Sequence, residues 1–263
     1  HKGRASANQV MGRVLYSAME RFPGLRLADI RGGRFDNVIC PKNQAKAAVP
    51  AGSEAAFEAF VREFDGILKN EYAGCDGGIT LTCARATLDG ALPPEATANI
   101  LRVLLAMPQG VQAMSADFPG LVQTSLNLGT MGVEEDGLRF ALSIRSCIAS
   151  QKDMVAQRVE AILALGGGTA VRKSAYPGWQ YARQSVLRED VLAAHRAVSG
   201  QEGRIEATHG GLECGLFLEK IPGLDAVSFG PELHDVHSVK ERLSAPSTLR
   251  VYEVVCELLR RSK

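Results

Sequence analysis

The chain has 263 residues, of which 46% are hydrophobic and 22% are charged, and its formal net charge is +1. This composition is typical of a soluble globular protein, and the near-neutral balance gives no reason to expect nucleic acid or an anionic membrane as a partner. No apolar run reaches membrane-spanning length, and the residues that follow His1 do not open a signal peptide. The six cysteines are scattered, which favours reduced thiols in a cytoplasmic protein over a disulfide framework.

The first 88 residues predict the order helix, strand, strand, helix, strand. The stripe formed by Val10, Val14, Ala18 and Phe22 predicts an amphipathic helix that ends at Pro23. Ser53 is a suitable N-cap for the second helix. The predicted elements are a helix at 5–22, strands at 25–32 and 38–49, a helix at 53–72 and a strand at 79–84. The second helix is expected to turn its apolar side chains toward the core, namely Phe57, Phe60, Val61, Phe64 and Leu68.

The same order recurs between residues 89 and 180. The predicted elements there are a helix at 95–107, strands at 121–131 and 138–146, a helix at 151–165 and a strand at 169–175. A strand before His1 would complete the first unit as a βαββαβ arrangement. We therefore predict an α+β domain over residues 1–180, built from two ferredoxin-like βαββαβ halves at about 1–88 and 89–180.

Residues 181–263 change to a different pattern. A helix is predicted at 186–198, short strands at 205–208 and 226–229, and a last helix that begins at Ser247. The inward face of that helix is expected to carry Leu249, Tyr252, Val255, Cys256 and Leu259. So small a segment has too many open strand edges to form a complete sheet, so we predict that it closes a larger α/β domain whose other strands lie upstream. The missing initial Met agrees with a chain that is part of a longer protein.

Two Gly-rich loops follow the predicted strands of this last segment. The first, Thr208–Phe217, contains His209, Glu213 and Cys214, and the second contains His237 together with His234 and Asp235. Imidazole and carboxylate groups delivered by two neighbouring strand ends favour a functional site. A structural role fits the same residues, because His209 and Glu213 can cap a turn and no pair has a diagnostic metal-ligand spacing.

Polar side chains also occupy one face of the predicted strands at 121–131 and 138–146. If these strands form a hairpin through residues 134–137, Asn127 and Arg145 lie within a residue or two of each other on the face opposite Leu126 and Leu128. An amide beside a guanidinium is a natural receptor for a carboxylate. An exposed sheet face with scattered polar groups accounts for the same pattern.

Several motifs in chain order carry a family resemblance. T-H-G-G-L-E-C-G-L-F at 208–217, followed by V-S-F-G-P at 227–231 and by His237-Ser238 with a nearby acidic residue, resembles the C-terminal part of the aminoacyl-histidine (Xaa-His) dipeptidases. These are zinc exopeptidases of the group that includes carnosinase. Further matching stretches are Gly32-Gly33, Asn37, Thr124–Asn127, Ile144–Ser146 and Ala175–Gln180. One departure is that His237-Ser238 is followed by Val239-Lys240-Glu241, where the family usually has Pro-Asp-Glu.

The resemblance implies an architecture and a set of roles in the first domain. Residues 1–180 would be a lid domain inserted into a split catalytic domain, and residues 181–263 would be the C-terminal segment of that catalytic domain. His1 matches a family histidine that polarises the scissile carbonyl. Asn127 and Arg145 would bind the C-terminal carboxylate of a dipeptide.

The resemblance also implies roles for the last segment. His237 matches a zinc ligand, while His209 and Glu213 match residues that contact the substrate, with Glu213 holding the free amino group. The full-length parent would use two zinc ions, whose other ligands lie in a region that this chain lacks. The expectation is a zinc-dependent dipeptidase that cleaves Xaa-His-type dipeptides, with this chain alone inactive and not binding zinc stably, and with a homodimer as a candidate assembly. The alternatives are a non-catalytic binding or dimerisation module, and an amidase or deacylase with the same zinc chemistry.

Overall fold

The chain forms two compact units. The computed structural model describes residues 1–134, 137–236 and 238–262. The first unit is His1–Ser174 and the second is Ala175–Lys263. No helix among the described residues is both long enough and apolar enough to cross a membrane.

The first unit contains four helices and five strands among its described residues. In chain order they are α1 (Ala7–Arg21), β1 (Arg26–Gly32), β2 (Asn43–Ala48), α2 (Glu54–Glu71), α3 (Pro94–Ala106), β3 (Gly110–Met114), β4 (Val122–Glu134), β5 (Gly137–Ser146) and α4 (Ala149–Leu165). All strand pairs are antiparallel.

Strand β4 is the centre of this sheet. Strand β5 pairs with it along one edge, from Thr124 opposite Ser146 to Glu134 opposite Gly137. The other edge is shared, because β3 pairs with the first part of β4 and β1 pairs near its end, with Gly32 opposite Met131. Strand β2 pairs with β1. The hairpin predicted between the strands at 121–131 and 138–146 is therefore confirmed.

The main core of the first unit lies between the sheet and its helices. The predicted stripe on α1 is confirmed, since its four residues are all buried. On α2, Phe60, Val61, Phe64 and Leu68 are buried, and Phe57 packs against them. A second cluster joins α3 and α4 to Leu126 of β4.

Three strand predictions in the first unit differ from the structure. Residues 79–84 and 169–175 are not strands, and β2 is shorter than predicted. Near residue 79 the backbone N–H groups are used otherwise, because Ile79 donates to the Asp76 carbonyl and Leu81 to the Asp65 carboxylate. Strand β3 was not predicted. The described residues therefore form one mixed α+β fold with an antiparallel sheet, and they do not reproduce two complete ferredoxin-like halves.

The second unit is mainly helical. Its described elements are α5 (Val186–Ser199), α6 (Glu213–Lys220), β6 (Leu233–His234), β7 (Arg242–Leu243) and α7 (Ala245–Arg261). The strands predicted at 205–208 and 226–229 are absent from these described residues, and α6 was not predicted. A strand needs a neighbour for its backbone groups, and the described part of this unit offers only the short β6–β7 pair.

The orientation predicted for the last helix is wrong. Leu249 and Tyr252 are each 66% exposed and Leu259 is 63% exposed, whereas the buried α7 residues are Ser247 and Val254. The helix packs against α5 through the stripe that contains Val254, so it has a second apolar stripe on its outer side. Its N-cap is Ser244 rather than Ser247.

Candidate substrate-binding site

The β4–β5 hairpin separates apolar from polar side chains. Leu126 and Leu128 are each 1% exposed and point into the core. On the opposite face, Ser125 is paired with Arg145 and Asn127 with Ser143. Asn127 and Arg145 are therefore diagonal neighbours, and side chains in such positions are typically about 7–8 Å apart. The structure brings these two predicted site residues onto one face of one sheet.

The Arg145 side chain is exposed on that face. Within the described residues it has no hydrogen-bond or ion-pair partner. Arg139, on the same face of β5, instead forms an ion pair with Glu134 at 3.0 Å. A guanidinium without an internal counterion keeps its planar fork of donors available to an external carboxylate.

The amide of Asn127 is fully engaged by the protein. Its Nδ2 donates to the carbonyl oxygens of Asp36 at 2.7 Å and Val38 at 2.8 Å. Its Oδ1 accepts a hydrogen bond from Gln109 Nε2 at 3.1 Å. Asn127 was predicted to bind the carboxylate together with Arg145, but in the structure both of its N–H groups donate to a loop of the same chain.

That loop, residues 33–39, is hereafter called the receptor loop. Two glycines let it approach β4: a Cβ on Gly33 would collide with the carbonyl oxygen of Gly129, and a Cβ on Gly129 would collide with the backbone of Asp36. Gly33 also has a φ of +81°, a conformation that favours glycine. The Gly32-Gly33 pair of the sequence motif therefore has a steric reason.

Asn8 of α1 hydrogen-bonds to the part of β4 that contacts the receptor loop. It is completely buried, and its Nδ2 donates to the carbonyl oxygens of Leu128 at 3.0 Å and Gly129 at 3.2 Å. Its Oδ1 accepts a hydrogen bond from Asn43 Nδ2 at 2.8 Å. The roles of Asn8 and Gln109 could not be predicted from sequence patterns, because their partners lie on other elements of the fold.

His1 is exposed at the start of the first unit. The described residues provide no hydrogen bond or ion pair to it. Among the described residues no hydrogen bond or ion pair joins His1 to Asn127 or Arg145, and its role as a carbonyl-polarising group stays a prediction.

In the second unit, two motif stretches pack on each other. A Cβ on Gly211 would collide with the Tyr176 ring, and one on Gly215 would lie 3.0 Å from the Pro177 carbonyl oxygen. Glu213 is exposed and is the first residue of α6, while His209 is half-buried in the preceding bend. The glycines of this loop therefore make room for the Tyr176–Gly178 segment.

The loop also affects the pKa of the Tyr176 hydroxyl. Burial raises the pKa of its hydroxyl above the ordinary value, and the nearby charge of Glu213 raises the pKa further. Tyr176 belongs to a sequence motif, but its packing against Gly211 could not be predicted from the sequence.

The predicted zinc ligand His237 lies outside the described residues. Among its neighbours in sequence, Asp235 forms an ion pair with Arg242 of β7, and Ser238 Oγ donates to the Asp235 carbonyl oxygen at 2.7 Å. No group of three or more His, Cys, Asp or Glu side chains in the described part of the chain is arranged to hold a metal ion. The described residues alone therefore do not fit a zinc centre. All six cysteines are free.

The chain is similar to two dipeptidases over nearly its whole length. No family model matches the chain. It is 33% identical over 261 residues to the cytosol non-specific dipeptidase of Escherichia coli (strain K12), a match that covers 99% of this chain and 54% of that relative. The crystal structure of aminoacylhistidine dipeptidase from Vibrio alginolyticus superimposes with a TM-score of 0.89 at 29% identity, covering 99% of this chain and 53% of that one. The resemblance predicted from the sequence is confirmed, and the chain spans about half the length of these relatives.

Proposed function

We propose that the protein containing this chain is a cytoplasmic dipeptidase that hydrolyses Xaa-His-type dipeptides. The similarity to dipeptidases over nearly the whole chain supports the class of reaction. The observation that carries the substrate-binding part is the exposed Arg145 guanidinium, which has no partner among the described residues. In the proposal it binds the C-terminal carboxylate of the dipeptide as a bidentate pair.

Separately, the second unit is proposed to contribute Glu213 as a residue that binds the free amino group of a dipeptide. Glu213 is exposed at the start of α6, and the charge of a carboxylate at this position is compatible with the positive end of the helix dipole. It would accept charge-assisted hydrogen bonds from the free amino group, with His209 as a further substrate contact. His1 would polarise the scissile carbonyl.

The proposed enzyme is zinc-dependent, with His237 as one ligand. Zinc would supply an activated water when bound. The described residues contribute substrate binding to this proposal, while the remaining metal ligands would come from polypeptide beyond this chain. The exposed apolar stripe on α7 supports that view, because Leu249, Tyr252 and Leu259 would be covered by the rest of a catalytic domain.

A homodimer would cover the same stripe. Sedimentation of the chain at increasing concentration separates the two cases, because a dimer formed through α7 would dissociate on Leu249→Glu substitution. A chain that stays monomeric at all concentrations would favour the other proposal, in which the rest of the catalytic domain covers the apolar stripe of α7.

The experiment that tests the function compares two ligands and two arginines. Binding of β-alanyl-histidine and of its C-terminal amide to the chain is followed by NMR. The free carboxylate should bind more tightly, Arg145→Ala should abolish the difference, and Arg139→Ala should preserve it. Equal binding of the two ligands to the unaltered chain would refute the receptor, and steady hydrolysis by this chain alone would refute the claim that its metal ligands are incomplete.

A further inference from the structure

Asn127 holds the receptor loop at two points. The carbonyl oxygens of Asp36 and Val38, one residue apart on each side of Asn37, both accept from its Nδ2. The orientation of the Asn127 amide is fixed in turn, because Gln109 Nε2 donates to its Oδ1. A flipped amide would place an oxygen against two carbonyl oxygens and a nitrogen against a donor.

Gln109 is itself anchored to the sheet. Its Oε1 accepts a hydrogen bond from the backbone N–H of Leu128 at 2.7 Å. A continuous series of hydrogen bonds therefore runs from the β4 backbone through Gln109 and Asn127 to the receptor loop. The loop is separated from Asn127 by about ninety residues along the chain, so these hydrogen bonds are tertiary contacts that add to the close approach of Gly33 and Gly129.

This arrangement also engages two acceptors on the face of the hairpin that carries Arg145, since Asn127 and Arg145 are diagonal neighbours on that face. A carbonyl oxygen carries partial negative charge and competes with a carboxylate for a guanidinium. While Asn127 binds the carbonyls of Asp36 and Val38, those oxygens face its amide. These two acceptors are therefore already hydrogen-bonded and compete less with a substrate carboxylate for the guanidinium of Arg145.

We propose that Asn127 is a positioning residue, not a direct substrate ligand: it holds the receptor loop beside Arg145 so that a dipeptide carboxylate fits between the guanidinium and the loop. The inference rests on the proposed function, because it assumes that Arg145 binds the carboxylate. It changes the role of Asn127 from contact with the substrate to control of the loop that the substrate meets.

The test uses the chain with Asn127→Asp, which keeps the shape of the side chain and loses both donors, and Asn127→Ala. Circular dichroism confirms folding, and Asn70→Ala, at an exposed helix position, is the matched control. Hydrogen exchange at the Val38 amide, which donates to the Phe35 carbonyl, reports the loop. The dissociation constants of β-alanyl-histidine and its amide, measured by NMR, report the receptor.

Both Asn127 variants should accelerate exchange at Val38 and weaken binding of the free carboxylate on the order of tenfold or more, while binding of the amide changes little. Asn70→Ala should change neither quantity. Unaltered exchange at Val38 overturns the inference, as does faster exchange with unaltered carboxylate binding. If the unaltered chain does not prefer the carboxylate, or if Arg145→Ala leaves that preference intact, the receptor itself fails and the inference fails with it.

Discussion

Replacement of Asn8 by alanine should destabilise the first unit more than almost any other polar substitution. The side chain is fully buried and makes three hydrogen bonds, to Leu128, Gly129 and Asn43. At about 1 kcal/mol for each net hydrogen bond, the loss is about 3 kcal/mol. The substitution also leaves Asn43 Nδ2 without its acceptor and the carbonyl oxygens of Leu128 and Gly129 without their donor, so the expected cost is about 2–4 kcal/mol.

A second substitution separates hydrogen bonding from packing. Asn8→Asp retains the shape and the acceptor for Asn43, but places a carboxylate against two carbonyl oxygens, so it should be at least as destabilising as Asn8→Ala. Asn70→Ala, at an exposed position on α2, should change the free energy of unfolding by less than about 0.5 kcal/mol.

The assay is urea unfolding followed by far-ultraviolet circular dichroism. The single tryptophan, Trp179, lies in the second unit, so its fluorescence reports that unit separately. A loss below about 0.5 kcal/mol for Asn8→Ala would show that the three bonds contribute little, and would refute the reasoning from burial and hydrogen bonding.

Three further outcomes are expected. Ser6→Ala should leave the free energy of unfolding in urea unchanged or raise it by up to about 1 kcal/mol, because the buried Ser6 hydroxyl has no hydrogen-bond partner among the described residues. A decrease of more than about 1 kcal/mol would show that this hydroxyl does make a stabilising hydrogen bond. Hydrogen bonds from the Ser185 hydroxyl and, to a smaller extent, from the Leu187 backbone N–H lower the pKa of the Asp225 carboxyl. The stability that the ionised Asp225 contributes is therefore present above pH 3.8 and is lost as the pH falls through the lower pKa of the folded state. Asp225→Asn should remove this part of the acid-induced loss of stability, and an identical pH profile for both proteins would speak against it. Glu213→Gln should lower the pKa of the Tyr176 hydroxyl in an NMR titration, although burial still holds that pKa above the ordinary value. An unchanged pKa would show that the charge of Glu213 does not act on Tyr176.

The polar face of the β4–β5 hairpin could be predicted because its cause is local. Alternating side chains assign Leu126 and Asn127 to opposite faces, and a short connection fixes the register that brings Arg145 near Asn127. The hydrogen bonds of Asn127 could not be predicted, since the receptor loop is about ninety residues away in sequence. A pattern within one hairpin contains no information on which distant carbonyl oxygens will reach it.

The last helix shows a different limit. Leu249, Tyr252 and Leu259 form a regular stripe, and so does the stripe through Val254 that packs on α5. Periodicity identifies a helix with two apolar faces but does not determine which face is covered by the polypeptide at hand. The predictions of strands at 205–208 and 226–229 were wrong for a related reason. An apolar run forms a strand only where a neighbouring strand can hydrogen-bond to its backbone.

The central position of β4 has a consequence for how the polypeptide assembles. A shift of this strand by one residue against any neighbour would turn Leu126 and Leu128 outward and push Asn127 into the interior. Such an error would have to be accommodated by β1, β3 and β5 together, since all three hydrogen-bond to the same strand. Pairing with three strands therefore disfavours folding intermediates in which β4 has the wrong register. The same pairing fixes which residues of β4 lie on the face that carries Arg145.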